Sequence, residues 1–274
     1  MNIRTENMDI INVGQLTLLR FKALKGIDFV NHTVSTRHGG VSNAKELASL
    51  NLGSQTSDAR ENILENYKRF CDAAGYDIEK IILAKQTHSS NVLYVDEKDG
   101  GKGVLRERDY DNVDALITDK PGLCLAIHTA DCVPVSFIDT KLRVIGNAHC
   151  GWRGTYAELA AHTIHKMKEC FGTNPSDLLC TVGPCICMNC YEVSGDLYSQ
   201  FENKFGRSNA LAEIDGKFYI DLALVNKQIL ISNGVDRDNI FISDVCTCCN
   251  TDYMFSHRGQ GPGRGILASC LSII

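Results

Sequence analysis

Nowhere in the 274 residues do 18 apolar residues run together, since His128 and Asp131 divide the longest candidate, so no membrane-spanning helix is expected. A basic excess is also lacking. The 28 Lys and Arg against 33 Asp and Glu leave a net charge of −5 and a pI near 5.9, which argues against nucleic acid as a partner. The opening MNIRTENMDIINVGQ has no cationic stretch followed by an apolar run and a small-residue cleavage site; no signal peptide is expected, and the expected location is cytoplasmic. There is no Walker A sequence, and Gly259 to Gly265 does not follow a strand in G-x-G-x-x-G form. No His is followed two residues later by Glu, and after Pro184-Cys185 the second Cys of a P-C-x-x-C pattern is replaced by Met188, which excludes the usual base-deaminase zinc signature. No internal repeat is evident.

Cysteine, by contrast, is abundant. Thirteen residues, an odd number, in a chain with no export signal point to metal ligands, reactive thiols or small buried hydrophobes rather than a disulfide framework. Cys71, Cys124, Cys170, Cys180 and Cys270 sit among apolar neighbours and read as core residues. Apolar content of 44% with 22% charged residues is ordinary for a globular protein.

The chain is organised around Cys124 to Thr155. Cys132 stands just before the run Val133 to Ile138, and His149 just after the run Leu142 to Ala148. A two-residue turn at Thr140 and Lys141 would make Cys132 and His149 direct cross-strand partners, close enough for a thiolate and an imidazole to reach one ion. Next comes Gly151-Trp152-Arg153-Gly154, then a helix from 156 to 171 with Thr155 and Glu158 as its capping box and Gly172 as its stop. Trp152 and Arg153 read equally as an anion or ring site and as a core plug beside a solvated charge.

Upstream, strands are expected at Leu16 to Leu19 and Phe29 to Val34, leading into Arg37-His38-Gly39-Gly40, a loop whose backbone can approach a ligand. Asp58 to Ala74 is a helix opened by an Asp58–Glu61 capping box and stopped at Gly75. The strand Ile81 to Ala84 delivers Gln86-Thr87-His88, and Asp114 to Thr118 is another strand. Between them, Asp96 to Asp111 reads as a mobile loop over the site. Downstream, strands are expected at 178–182, 240–243 and 266–273, with helices at 196–205 and 221–232.

Three chemistries compete. A metal held by Cys132 and His149 needs a third ligand, for which His88 at a strand end is the candidate. A Cys132–His149 nucleophilic pair does not need one, and Asp131 would orient its imidazole. Cys185, Cys187 and Cys190 with Cys246, Cys248 and Cys249 would supply a closed zinc site, but the two groups are read as lacking the usual paired spacing and that site is set aside.

The motifs Thr36-Arg37-His38-Gly39-Gly40-Val41-Ser42, Gln86-Thr87-His88, Asp114-Ala115-Leu116-Ile117-Thr118, Thr129-Ala130-Asp131-Cys132-Val133-Pro134-Val135, His149-Cys150-Gly151-Trp152-Arg153-Gly154-Thr155 and Gly183-Pro184-Cys185-Ile186, with Ser243-Asp244 to Arg264, occur in order over nearly the whole chain. Together they resemble the laccase-domain, or polyphenol oxidase, family of purine nucleoside phosphorylases. The resemblance implies an α/β fold, an α-β-β-α layered sandwich with mixed sheets, as a single domain over residues 1–274. It also implies one Zn2+ held by His88, Cys132 and His149, with Cu2+ as the alternative ion. The implied substrates are purine nucleosides (adenosine, inosine, methylthioadenosine) and phosphate, with adenosine deamination besides. Copper-dependent phenol oxidation and a role in editing peptidoglycan precursors are also attributed to members; a multicopper oxidase needs more His ligands than eight scattered ones supply. Phosphorolysis requires a cationic clamp, for which Arg37, Arg153, Arg258 and Arg264 are the candidates. A homodimer is left open. Where relatives carry Asn-Arg in the first helix this chain has Asn66-Tyr67, and Cys150 replaces a common Ala or Ser; that extra thiol is expected to do nothing.

Overall fold

A computed structural model describes residues 3–54 and 56–274. Met1 and Asn2, with which the one-domain reading begins, and Gln55 lie outside the described residues.

Two six-stranded mixed sheets stack face to face. The first runs, edge to edge, through Met8–Val13, Leu16–Phe21, Val30–Ser35, Leu267–Ile273, Cys124–Thr129 and Ile81–Leu83. The second runs through Ile240–Ile242, Leu178–Val182, Val133–Asp139, Val144–Cys150, Ala115–Thr118 and Val92–Tyr94. Between them lies an apolar layer of Ile82, Leu125, Ile127 and Leu271 from one sheet and Leu116, Ile138 and Ile145 from the other. The helix Arg60–Ala74 covers the outer face of the first sheet through Ile63, Tyr67 and Phe70. The helices Leu159–Phe171 and Leu222–Ser232 cover the second through Ile164, Met167, Val225 and Ile229. This is the α-β-β-α order expected. Each fully buried Leu, Ile or Phe contributes about 1.5–3 kcal/mol, and both faces of both sheets carry them.

The period of two along Val144–Cys150 decides what the site can contain. Ile145, Asn147 and His149 face the layer between the sheets, whereas Val144, Ala148 and Cys150 face the helices. Asn147 is satisfied there, its Nδ2 donating to Leu125 O and Ser269 O across the gap (3.0 and 2.9 Å). Cys150 is therefore a core residue turned away from His149, and burial raises its thiol pKa far above the ordinary value.

The hairpin register differs from the expected one. Asp139 pairs with Val144 and Pro134 with His149, so the connection is four residues long and paired numbers sum to 283 rather than 281. Thr-Lys lacks the positive φ that a two-residue turn demands, and the chain instead uses Arg143 at φ 56, with Asp139 Oδ1 accepting from Lys141 N and Leu142 N. A change of two keeps the side-chain parity, so Cys132 and His149 remain on one face as diagonal neighbours.

Two expected capping boxes are also replaced. Trp152–Tyr156 is already a short helix, and Glu158 at φ 57 breaks it from Leu159–Phe171. Thr155 is buried in that first turn, donating to Cys150 O and accepting from Asn226 Nδ2. The helix Arg60–Ala74 starts after Ala59; Asp58 instead accepts from Ser42 Oγ, Asn51 Nδ2 and Asn62 Nδ2, tying a loop to it. Gly75, at φ 76, ends it as expected. Nor is 96–111 a free loop. Gly101 N donates to Ile81 O and Leu83 N to Lys102 O, and the buried Lys102 ammonium bridges Asp99 and Asp109 at 2.7 and 2.6 Å.

A three-donor centre opening on a cationic cavity

Asp114, wholly buried at the head of the strand Ala115–Thr118, is the hub of the site. Its carboxylate accepts from the backbone N–H groups of Thr87 (3.0 Å), His88 (3.0 Å) and Ser89 (2.7 Å), and from Ser89 Oγ (2.8 Å). It also accepts from His149 Nδ1 at 2.9 Å, and its own carbonyl accepts from His149 N at 2.7 Å. Burial works against the ionised carboxyl, but the His149 bond and the convergent N–H groups outweigh it and hold the pKa at about 2. One carboxylate thus holds the 87–89 turn, with His88 at φ 64, and fixes the His149 ring by Nδ1, which leaves Nε2 as the nitrogen turned away from Asp114.

Cys132 completes the group. The donor atoms of His88, Cys132 and His149 all lie within 4.8 Å of one another, Cys132 Sγ being 3.9 Å from His88 Nε2, and the two rings meet edge to face at 4.9 Å. Gly151 passes so close that a Cβ there would stand 2.7 Å from His88 Cδ2 and 3.0 Å from Cys132 Sγ. Burial disfavours a Cys132 thiolate, but the His149 charge and the hydrogen bonds to both imidazoles lower its pKa to about 6; His149, likewise opposed by burial, is raised to about 9 by that thiolate and Asp114. Two imidazoles and a thiolate, one imidazole backed by a carboxylate, form a candidate metal site, and three such donors are a set that suits zinc with a fourth position left over. The residues fit the ion that the sequence resemblance implies.

These donors line a cavity of about 200 Å³ together with Gln86, Arg108, His128 and Arg264. Of the four arginines expected to clamp an anion, only Arg264 lines it. Arg264 Nε is buried with no hydrogen-bond partner among the described residues, and burial lowers the guanidinium pKa against the pull of Asp131 and Cys132. Arg37 is spent on the fold, donating to the carbonyls of Ala48 (2.7 Å), Thr251 (2.7 Å) and Lys45 (3.3 Å) over the Phe255 ring. Arg258 donates to Cys190 O and Glu192 O, both at 2.9 Å. Arg153 is exposed and stacks on Trp152 at 4.2 Å, while Trp152 packs on the helix-side core. The glycines after Arg37 bring the backbone against the chain itself: a Cβ on Gly40 would fall 2.1 Å from Ser49 O.

Asp131 does not orient the imidazole; Asp114 has that place. The side chain of Asp131, at φ 97, accepts from Thr247 Oγ1 and from Arg258 N, both at 2.6 Å. Sequence reading missed Asp114 as a site residue, although a carboxylate heading a buried strand must find several donors. It also missed Arg108, whose guanidinium is fixed on Ala84 O at 2.8 Å, and His128, whose Nε2 lies 2.7 Å from Tyr67 Oη. Burial and the Arg108 charge lower the His128 pKa to about 3, so that ring is neutral. Tyr67, which follows Asn66 where an arginine was the expected residue, serves that imidazole instead.

The sequence model described as multi-copper polyphenol oxidoreductase laccase matches residues 31–274, and the chain belongs to that family. A purine nucleoside phosphorylase of Bacteroides thetaiotaomicron is 33% identical over 260 residues, covering 93% of this chain and 96% of that protein. The adenosine deaminase RL5 of an unknown prokaryotic organism is 28% identical over 248 residues, covering 89% of this chain and 93% of its own. The crystal structure of YlmD from Geobacillus stearothermophilus superposes with a TM-score of 0.88 at 28% identity, covering 96% of this chain and 98% of that one. No described helix is long and apolar enough to cross a membrane.

Proposed function

We propose that this chain is a zinc-dependent purine nucleoside phosphorylase acting on adenosine, inosine and methylthioadenosine, and that the same site deaminates adenosine. The observation that carries the reading is that a three-donor centre and two guanidinium groups line one cavity. Relatives named as a phosphorylase and as a deaminase support it. In phosphorolysis, phosphate attacks the anomeric carbon and the purine leaves with the bond electrons; in deamination, water adds at C6 and ammonia leaves. Arg264 and Arg108 hold the phosphate, two cations in a partly closed site where charge is weakly screened. The neutral His128 ring and the Ala84, Ala130 and Ile266 side chains form a wall against which a flat base fits. Asp114 holds His149 by Nδ1, so Nε2 is the nitrogen that would meet a metal, whose binding displaces the proton there. Bound zinc supplies Lewis-acid activation of water at neutral pH.

A second reading rests on the Cys132–His149 charge pair, which is what a thiol nucleophile uses. Elemental analysis of protein purified without added metal, alongside an adenosine assay that separates adenine from inosine, distinguishes the two. Zinc at the centre, lost with activity in both His88→Ala and Cys132→Ala, upholds the proposal; bound copper in its place would favour phenol oxidation. Activity that survives His88→Ala in metal-free protein but not Cys132→Ala gives the chemistry to the thiol.

A further inference from the structure

Cys187, Cys190, Cys246 and Cys249 form a second donor group, with all four sulfurs within 4.8 Å of one another. The sequence does contain the paired spacing, Cys187-x2-Cys190 and Cys246-x2-Cys249, obscured by Cys185 and Cys248 beside it. The fold explains why the pairs meet. Leu178–Val182 and Ile240–Ile242 are adjacent parallel strands, so the loops leaving their C-terminal ends emerge side by side, joined by a bridge between Cys185 and Cys246 and by Thr247 N donating to Cys185 O (3.1 Å).

We infer that these four thiolates hold a second zinc ion, a closed structural site that staples the two loops beside the cavity. Zinc bound by four sulfurs at about 2.3 Å puts those sulfurs about 3.8 Å apart. Here Cys190 Sγ and Cys187 Sγ stand 3.4 and 3.9 Å from Cys249 Sγ. Two backbone N–H groups, of Cys187 (3.2 Å) and Cys249 (3.4 Å), donate to Cys246 Sγ, which supplies the acceptor bonds that a metal-bound thiolate uses. The thiols are not simply core residues, since Cys249 is exposed and Cys187 and Cys190 are half-buried. Four protein donors fill a tetrahedron and leave no position for substrate, which makes the site structural.

Its effect reaches the first site through Asp131. Thr247, inside the second pair, holds one carboxylate oxygen of Asp131; Arg258, whose guanidinium grips Cys190 O and Glu192 O, holds the other through its backbone N–H. Asp131 precedes Cys132, so stapled loops keep that ligand in place.

Metal per chain in protein purified without added metal tests the inference. About two zinc ions are expected in the wild type, and about one in each of Cys187→Ser/Cys249→Ser and His88→Ala/Cys132→Ala. In the latter variant, exchange with cobalt should give the intense visible and thiolate charge-transfer absorption of a tetrahedral four-sulfur site, a readout that stands whether or not the cysteine variant folds and whether or not the chain turns over nucleosides. No metal remaining in His88→Ala/Cys132→Ala would overturn it. So would iron in place of zinc, or a native mass two or four hydrogens low with these thiols resistant to alkylation, which would mean disulfides.

Discussion

The two sulfur-containing clusters stand along the same rim of the second sheet, yet they are built for opposite ends. His88, Cys132 and His149 come from a strained turn and two strand ends, with a wholly buried carboxylate behind them and a cavity in front. Cys187, Cys190, Cys246 and Cys249 come from two loops, with backbone N–H groups behind them and no part in lining that cavity. Mixed donors, three in number and oriented by Asp114, leave room for a reacting molecule. Four like donors close on themselves. Ligand count and what stands behind the ligands, rather than thiol content, separate a reactive centre from a staple.

The largest effect that sharpens this contrast is expected from Asp114→Asn. An amide cannot accept all the N–H groups now converging on that carboxylate, and nothing then fixes the His149 tautomer; metal affinity of the three-donor centre or turnover should fall roughly 10- to 100-fold, measured by chelator competition and kinetics, while any metal on the four cysteines stays. Gly151→Ala should act next. Its Cβ must displace His88 or Cys132, so metal is lost from the three-donor centre with little change in far-UV circular dichroism, whereas Gly26→Ala, with open space around it and no positive φ, leaves metal content unchanged. An undisturbed centre in Gly151→Ala would show that the ligands have slack.

Arginine gives the third test. Arg264→Ala should raise the KM for phosphate about tenfold or more, as loss of a charge-assisted contact does. Arg37→Ala should leave that KM alone but cost roughly 2–4 kcal/mol of stability, because three carbonyls lose their donor. The smallest effect is on pH. The Asp114 pKa lies below its ordinary 3.8, at about 2, so the stabilisation is present above pH 3.8 and disappears as pH falls through 2. This amounts to roughly 2 kcal/mol. Denaturant melts of wild type and Asp114→Asn should therefore differ most near neutral pH and converge as pH approaches 2.

Much of this was legible in the chain. Strand and helix positions followed from apolar period and from Gly75 and Gly172, because those patterns are local. The grouping of Cys132 with His149 survived an error in hairpin register, since a shift of two preserves side-chain parity. What failed were the decisions that depend on a distant partner. Thr155 looked like a cap and is a buried hydrogen-bond donor to Cys150 O; Arg37 looked like an anion clamp and donates to three carbonyls, one of them 214 residues away in sequence.

The sequence alone placed most strands and helices, because periodicity and glycine stops are local, and it carried the motifs that mark the family, whose resemblance implied the layered α/β architecture and the grouping of His88, Cys132 and His149. Only the tertiary structure decided that Asp114 rather than Asp131 carries the imidazole, that Arg264 and Arg108 share the cavity, and that two cysteine pairs some 60 residues apart converge. Each of those depends on which strand lies beside which, and strand neighbours are set by packing across the whole core rather than by anything adjacent in the chain.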